Sequence, residues 1–80
     1  MKNTMIAIQE TATRSTYYVV IDSDIATGKA YAYNPDYGFR VITPYKDRNP
    51  FETRRINQNP YPWMIEFDIS KVKIPENWMN

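Results

Sequence analysis

The sequence predicts a small, mainly β domain, and three observations carry that expectation. Residues 63–70 alternate without a slip, with Trp63, Ile65, Phe67 and Ile69 on one side and Met64, Glu66, Asp68 and Ser70 on the other. A period of two lets a strand bury one face and wet the other, whereas an amphipathic helix spaces its apolar residues three and four apart. Residues 16–21, Thr-Tyr-Tyr-Val-Val-Ile, are all β-branched or aromatic, the types that suit a pleated surface. Turn signals at residues 22–28 and 34–38 then divide the chain into strand-sized pieces. The 63–70 strand is expected to organise the sheet, because burying its apolar side chains contributes roughly 1.5–3 kcal/mol each.

In chain order, residues 4–11 form the first predicted strand, with Ile6 and Ile8 on one face and Met5, Ala7 and Gln9 on the other. Thr13, Arg14 and Ser15 supply a polar turn. Residues 15–22 are apolar on both faces, which predicts a central strand covered on each side. Asp22 to Gly28 reads as a hairpin loop, with Gly28 free to take the positive φ that closes it. Residues 29–34 return, with Tyr31 and Tyr33 on one face and the small Ala30 and Ala32 turned to the core. In the next turn Pro35 presets φ, Asn34 and Asp36 bond back to the backbone, and Gly38 takes the left-handed position. Phe39, Val41 and Thr43 oppose Arg40 and Ile42 in a fourth strand, which Pro44 stops or places at an edge.

Residues 44–62 break the pattern. Four of the six prolines fall here. Asn49-Pro50-Phe51-Glu52 matches a helix start, with Asn49 as N-cap, Pro50 first and Glu52 as the capping-box acid. Asn59-Pro60 would end that helix after about two turns, so it needs Phe51 and Ile56 docked on the sheet to persist. Beyond the 63–70 strand, Val72 and Ile74 alternate out of phase, which a bulge or turn at Ser70-Lys71 explains. The order is four strands, a short helical turn and a fifth, long strand. That order fits a small antiparallel sheet, and it is similar to the order of SH3-like, partly closed barrels of about five strands. The analogy extends to order alone.

Eighty residues make one domain, spanning 1–80, in which every large apolar side chain counts. The chain has neither cysteine nor histidine, which removes the commonest zinc ligands, the usual general base and the best nucleophile. No cofactor and no metal is therefore expected, carboxylate-only calcium or magnesium sites being the chemistry left open. Ten basic groups against nine acidic ones argue against a protein built wholly to coat nucleic acid. The N-terminal apolar run stops at Gln9, too short for a signal core or a membrane span, so cytoplasmic residence without a membrane partner is the expectation.

Four groups of residues are candidates for function. The 44–62 segment carries Lys46, Arg48, Arg54 and Arg55 among Tyr45, Phe51 and Tyr61, with Asp47 and Glu52 as its acids. Arginine and aromatic residues together are the usual anchors of protein interfaces, while the bland alternative is a solvated face. Tyr17, Tyr31 and Tyr33 would form a base-stacking platform if they shared a face, but cross-strand packing is the preferred reading. Asp22, Ser23, Asp24 and Gly28 faintly resemble a calcium loop, but the later ligand positions fail and a turn is preferred. Glu66 and Asp68 on one strand face could pair as carboxylates, yet a chain this short rarely makes the deep cleft that catalysis needs.

The expectation is therefore a non-catalytic protein-binding module that masks or modulates a larger partner protein. Its contact patch would comprise Tyr45, Arg48, Phe51, Arg54, Arg55 and Tyr61, joined by Trp78. In size and make-up the chain is similar to small accessory proteins of phages and mobile elements, including inhibitors of host defence enzymes such as anti-CRISPR proteins. A phage-encoded chain would act in the host cytoplasm. The alternative is a β-barrel that binds single-stranded nucleic acid, with arginines on phosphates and tyrosines on bases. The third reading is a structural subunit, in which an unpaired strand edge recruits a neighbour or a second copy.

Overall fold

The computed structural model describes residues 3–43, 53–55 and 59–79. Its centre is an antiparallel sheet built from β1 (Thr4–Thr11), β2 (Arg14–Asp24), β3 (Lys29–Asn34), β4 (Gly38–Ile42) and β5 (Thr53–Arg55). The strands lie in the order β4-β3-β2-β1-β5, so the sheet is open and not a barrel. β2 occupies the middle, as its two apolar faces demand, and pairs with both β1 and β3. The first four strands match the sequence reading to within a few residues at their ends.

The pleat divides the sheet into two faces. On one, Ile6, Tyr18, Val20, Ala30, Ala32 and Ile42 are buried together, with Ile8 packed against them. Ala30 and Ala32 lack bulk, so they admit the large Tyr18 ring, which is only 1% exposed. The other face carries Ala7, Val19, Tyr31, Tyr33, Phe39 and Val41. The register shifts between Val20 and Asp22, leaving Ile21 as an extra residue and setting Asp22 opposite Tyr31. Such a bulge re-aims the side chains that follow it. Here it brings the Asp22 carboxylate to the Trp78 indole, whose Nε1 donates to it at 3.2 Å.

The two glycine turns form as expected. Gly28 and Gly38 both have φ of 74°, the left-handed conformation that costs a residue with a Cβ. Gly28 N donates to Asp24 O at 2.8 Å, and the Asp24 carboxylate accepts from Ala26 N and Thr27 Oγ1. Asp24 is thus a loop-closing residue of a turn.

The segment expected to organise the sheet is not a strand. Residues 62–66 form α1 (Pro62–Glu66), and Ile69–Lys71 make a 3-10 turn. Pro62 stands at the start of α1, where its fixed φ suits a helix and the missing N–H has no intrahelical partner anyway. The alternating pattern also hides a helical face. Trp63 and Phe67, four residues apart, both meet Tyr33, with ring centroids 6.1 and 4.6 Å away. Met64 is fully buried, while Ile65, which a strand would bury, is 62% exposed. The long final strand is replaced by a helical strap across the aromatic face. Asn3 fastens this strap to the start of β1, its Nδ2 donating to the carbonyls of Met64 at 2.7 Å and Phe67 at 2.8 Å.

Two further expectations change with it. Glu66 and Asp68 do not share a strand face, since Glu66 ends α1 and Asp68 caps the 3-10 turn. The Asp68 carboxylate accepts from Ser70 Oγ at 2.6 Å and Ser70 N at 3.1 Å. The Ser70 hydroxyl holds its pKa below the ordinary value, against a smaller opposing effect of desolvation. The helix expected from Pro50 meets a strand within its span, because Thr53–Arg55 pairs with Ile6, Ala7 and Ile8 of β1. The other residues of that expected helix up to 58 lie outside the described residues.

Candidate interaction surface

Among the described strands β4 and β5 end the sheet, and β4 is fixed in place by the turn before it. Asn34, buried at the end of β3, uses both ends of its amide. Its Nδ2 donates to Tyr17 O at 2.9 Å, and its Oδ1 accepts from Asp36 N at 2.7 Å and Tyr37 N at 3.0 Å. This one side chain ties the β3–β4 turn to β2 and so sets where β4 begins.

β4 presents different chemistry on its two faces. Phe39 and Val41 lie opposite Tyr33 and Tyr31 and are 47% and 41% exposed. Phe39 is the outer member of an aromatic row, 4.9 Å from Tyr33, 5.8 Å from Tyr31 and 6.4 Å from Phe67 between centroids. Such ring pairs contribute about 0.5–1.5 kcal/mol each beyond area burial. The exposed edge of Phe39 is therefore held rigidly from behind. On the opposite face, Arg40 donates from Nη1 to the Tyr18 hydroxyl at 3.1 Å, and its guanidinium lies 5.3 Å from the Tyr37 ring centroid and 6.0 Å from that of Tyr18. Arg14 Nη2 in turn donates to the Tyr37 hydroxyl. Burial raises the Tyr18 pKa, partly offset by the positive charge of Arg40.

Beside the β3–β4 turn lies a cleft of about 300 Å³, lined in part by Arg14, Tyr17, Asn34, Tyr37, Tyr61 and Trp63. A wider hollow of about 570 Å³ runs along residues 65–70 beside Asn3. Among the described residues no group of three or more acidic, histidine or cysteine side chains is placed to hold a metal ion. Among them also, no helix is long and apolar enough to cross a membrane.

Of the residues singled out from sequence for the contact patch, Arg54, Arg55, Tyr61 and Trp78 fall among the described residues, and these are placed apart. Tyr45, Lys46, Asp47, Arg48, Phe51 and Glu52 lie outside the described residues. Arg54 and Arg55 stand opposite Ala7 and Ile6 in β5, at the far edge of the sheet from β4. Tyr61 is half exposed and meets Tyr17 edge-on, 5.0 Å between centroids. Trp78 is only 8% exposed, its ring 5.9 Å from Tyr31, so it belongs to the internal packing and offers no contact face. Tyr61 and Trp78 also pack near opposite ends of β2. Their partners Tyr17 and Asp22 are five residues apart, about 16 Å at the rise of a strand. Tyr31 stacks on Phe39 of the neighbouring strand, while Tyr33 stacks on Phe67 of the strap, so both rings are engaged in packing. Phe39, Arg40 and Val41 were absent from the expected patch, although the edge signal at Pro44 pointed to their strand. No family model, curated protein or solved structure matches this chain.

Proposed function

We propose that this chain is a non-catalytic protein-binding module whose contact surface centres on the β4 rim and acts by covering part of a larger partner. One observation carries the reading: β4 ends the sheet while displaying Phe39 and Val41 at 47% and 41% exposure. Rigid, half-exposed apolar anchors beside an open edge match the centre of a protein interface better than a solvated rim. Nucleic-acid binding is less favoured, because Tyr31 and Tyr33, the rings it needs for bases, are engaged in internal stacks. An inhibitor of the kind carried by phages and mobile elements is one role that such a module serves.

Affinity capture from a nuclease-treated lysate of the native cell tests the reading when wild type is compared with Val41→Lys. The lysine leaves the Phe39 stack in place and puts a charge on the edge. A single stoichiometric protein should survive nuclease, with Val41→Lys weakening its capture by about 10–30-fold, the loss of one interface anchor. Species that vanish with nuclease would instead support the nucleic-acid reading.

A further inference from the structure

The chemistry of β4 narrows the kind of partner, an inference that rests on the protein-binding reading. All five residues of β4 pair with β3 on one side, and no described strand lies on the other. An edge strand turns alternate N–H and C=O groups outward as a template for a further strand. Directly opposed residues of an antiparallel pair share a face of the sheet. A strand added antiparallel to β4 would therefore set one residue beside Arg40 on one face, and its two neighbours beside Phe39 and Val41 on the other.

Phe39 and Val41 ask for apolar neighbours, because each has a large exposed fraction that an aliphatic side chain would cover. Arg40 asks for an acid. Its contacts among the described residues are the Tyr18 hydroxyl and the Tyr18 and Tyr37 rings, none of them a carboxylate. A guanidinium carries five N–H donors, and among the described residues one hydroxyl engages it. The two rings hold it at a fixed place on the rim, so a carboxylate arriving there meets a positioned cation.

A second copy of this chain meets the same edge badly. The two-fold register that pairs all five residues of β4 sets Arg40 against Arg40 of the other copy, and like charges directly opposed are destabilising. Moving the axis to residue 39 or 41 relieves that clash, but then three of the five residues pair, 38–40 or 40–42. We propose that β4 receives an extended segment of a partner protein with the pattern apolar–acidic–apolar. This segment becomes the next strand of the sheet, with its acidic residue opposite Arg40.

The test uses two fluorescein-labelled nine-residue peptides, one centred on Thr-Val-Glu-Val-Thr and the other on Thr-Val-Lys-Val-Thr, titrated against the whole chain by fluorescence anisotropy. The glutamate peptide should bind at least about tenfold tighter, as expected for one charge-assisted contact. Arg40→Gln should bring the two peptides to within about twofold, and raising the salt should narrow the gap in wild type. The peptide exchange is made on the wild-type chain, so the comparison stands even if Arg40→Gln weakens folding. Equal affinities, no binding of either peptide, or a preference that survives Arg40→Gln would overturn the proposal. So would a doubled mass in light scattering with β4 protected, which would make a second copy the occupant. Nuclease-resistant capture that is equal for wild type and Arg40→Gln would overturn this edge assignment while leaving the protein-binding reading standing.

Discussion

Replacing Tyr18 by alanine is expected to lower the unfolding free energy by about 3–5 kcal/mol, the range for deleting a buried aromatic side chain. Tyr18 is 1% exposed and lies at the centre of the cluster formed by Ile6, Val20, Ala30, Ala32 and Ile42. Ala30 and Ala32 are too short to reach into the cavity that the lost ring would leave. A domain of this size has about 5–15 kcal/mol of net stability to lose. With a urea slope of about 1 kcal/mol per molar, the midpoint should fall by about 3 M or more, or the chain should not fold at all.

Tyr18→Phe separates the ring from its hydroxyl. It leaves the packing intact, removes the acceptor used by Arg40, and changes the alkaline limb of stability. Burial raises the native Tyr18 pKa above the ordinary 10.0, so the folded chain holds the phenolic proton after the unfolded chain has released it. The unfolded state then binds fewer protons, and stability falls as pH rises. Tyr18 therefore contributes this stability fully below about pH 10, and it is lost as pH climbs from there through the raised native value. Urea melts between pH 8 and 11 should show a steeper alkaline loss in wild type than in Tyr18→Phe. Parallel curves would mean that the hydroxyl is not desolvated.

Met64→Ala should cost about 2–5 kcal/mol, whereas Ile65→Ala should stay within about 0.5 kcal/mol. The pair separates two readings of the same eight residues. A strand over 63–70 would put Ile65 in the core and Met64 in water. The helical strap does the reverse, with Met64 fully buried and Ile65 62% exposed. Thermal or urea unfolding of the two variants checks this, and a larger loss for Ile65→Ala would restore the strand.

The sequence was legible where local chemistry and tertiary demand agree. β-Branched and aromatic residues at 16–21, small residues at 30 and 32, and glycines at 28 and 38 each permit one good local answer, and the first four strands follow from them. It misled at 63–70, where an alternating pattern contained Trp63 and Phe67 at helical spacing and Pro62 at a helix start. Two prolines in the three residues 60–62 were the stronger signal. The Asp68 cap of the 3-10 turn was readable in Asp-Ile-Ser, since aspartate two residues before a backbone N–H commonly accepts from it. The surface was harder to see. Phe39, Arg40 and Val41 look like any alternating strand until the sheet order makes β4 its last member. Trp78 could not be placed, because Asp22 and Tyr31, which receive it, lie more than forty residues earlier in the chain.

Residue-resolved amide hydrogen exchange of the free chain tests the open β4 edge most directly. Alternate amides within Gly38–Ile42 should exchange at least about a hundredfold faster than those of Tyr18, Val19 and Val20 in the central strand, since nothing in the described fold bonds them from outside. Slow exchange at every β4 amide would contradict the account, because the edge would then already be paired and closed to a partner.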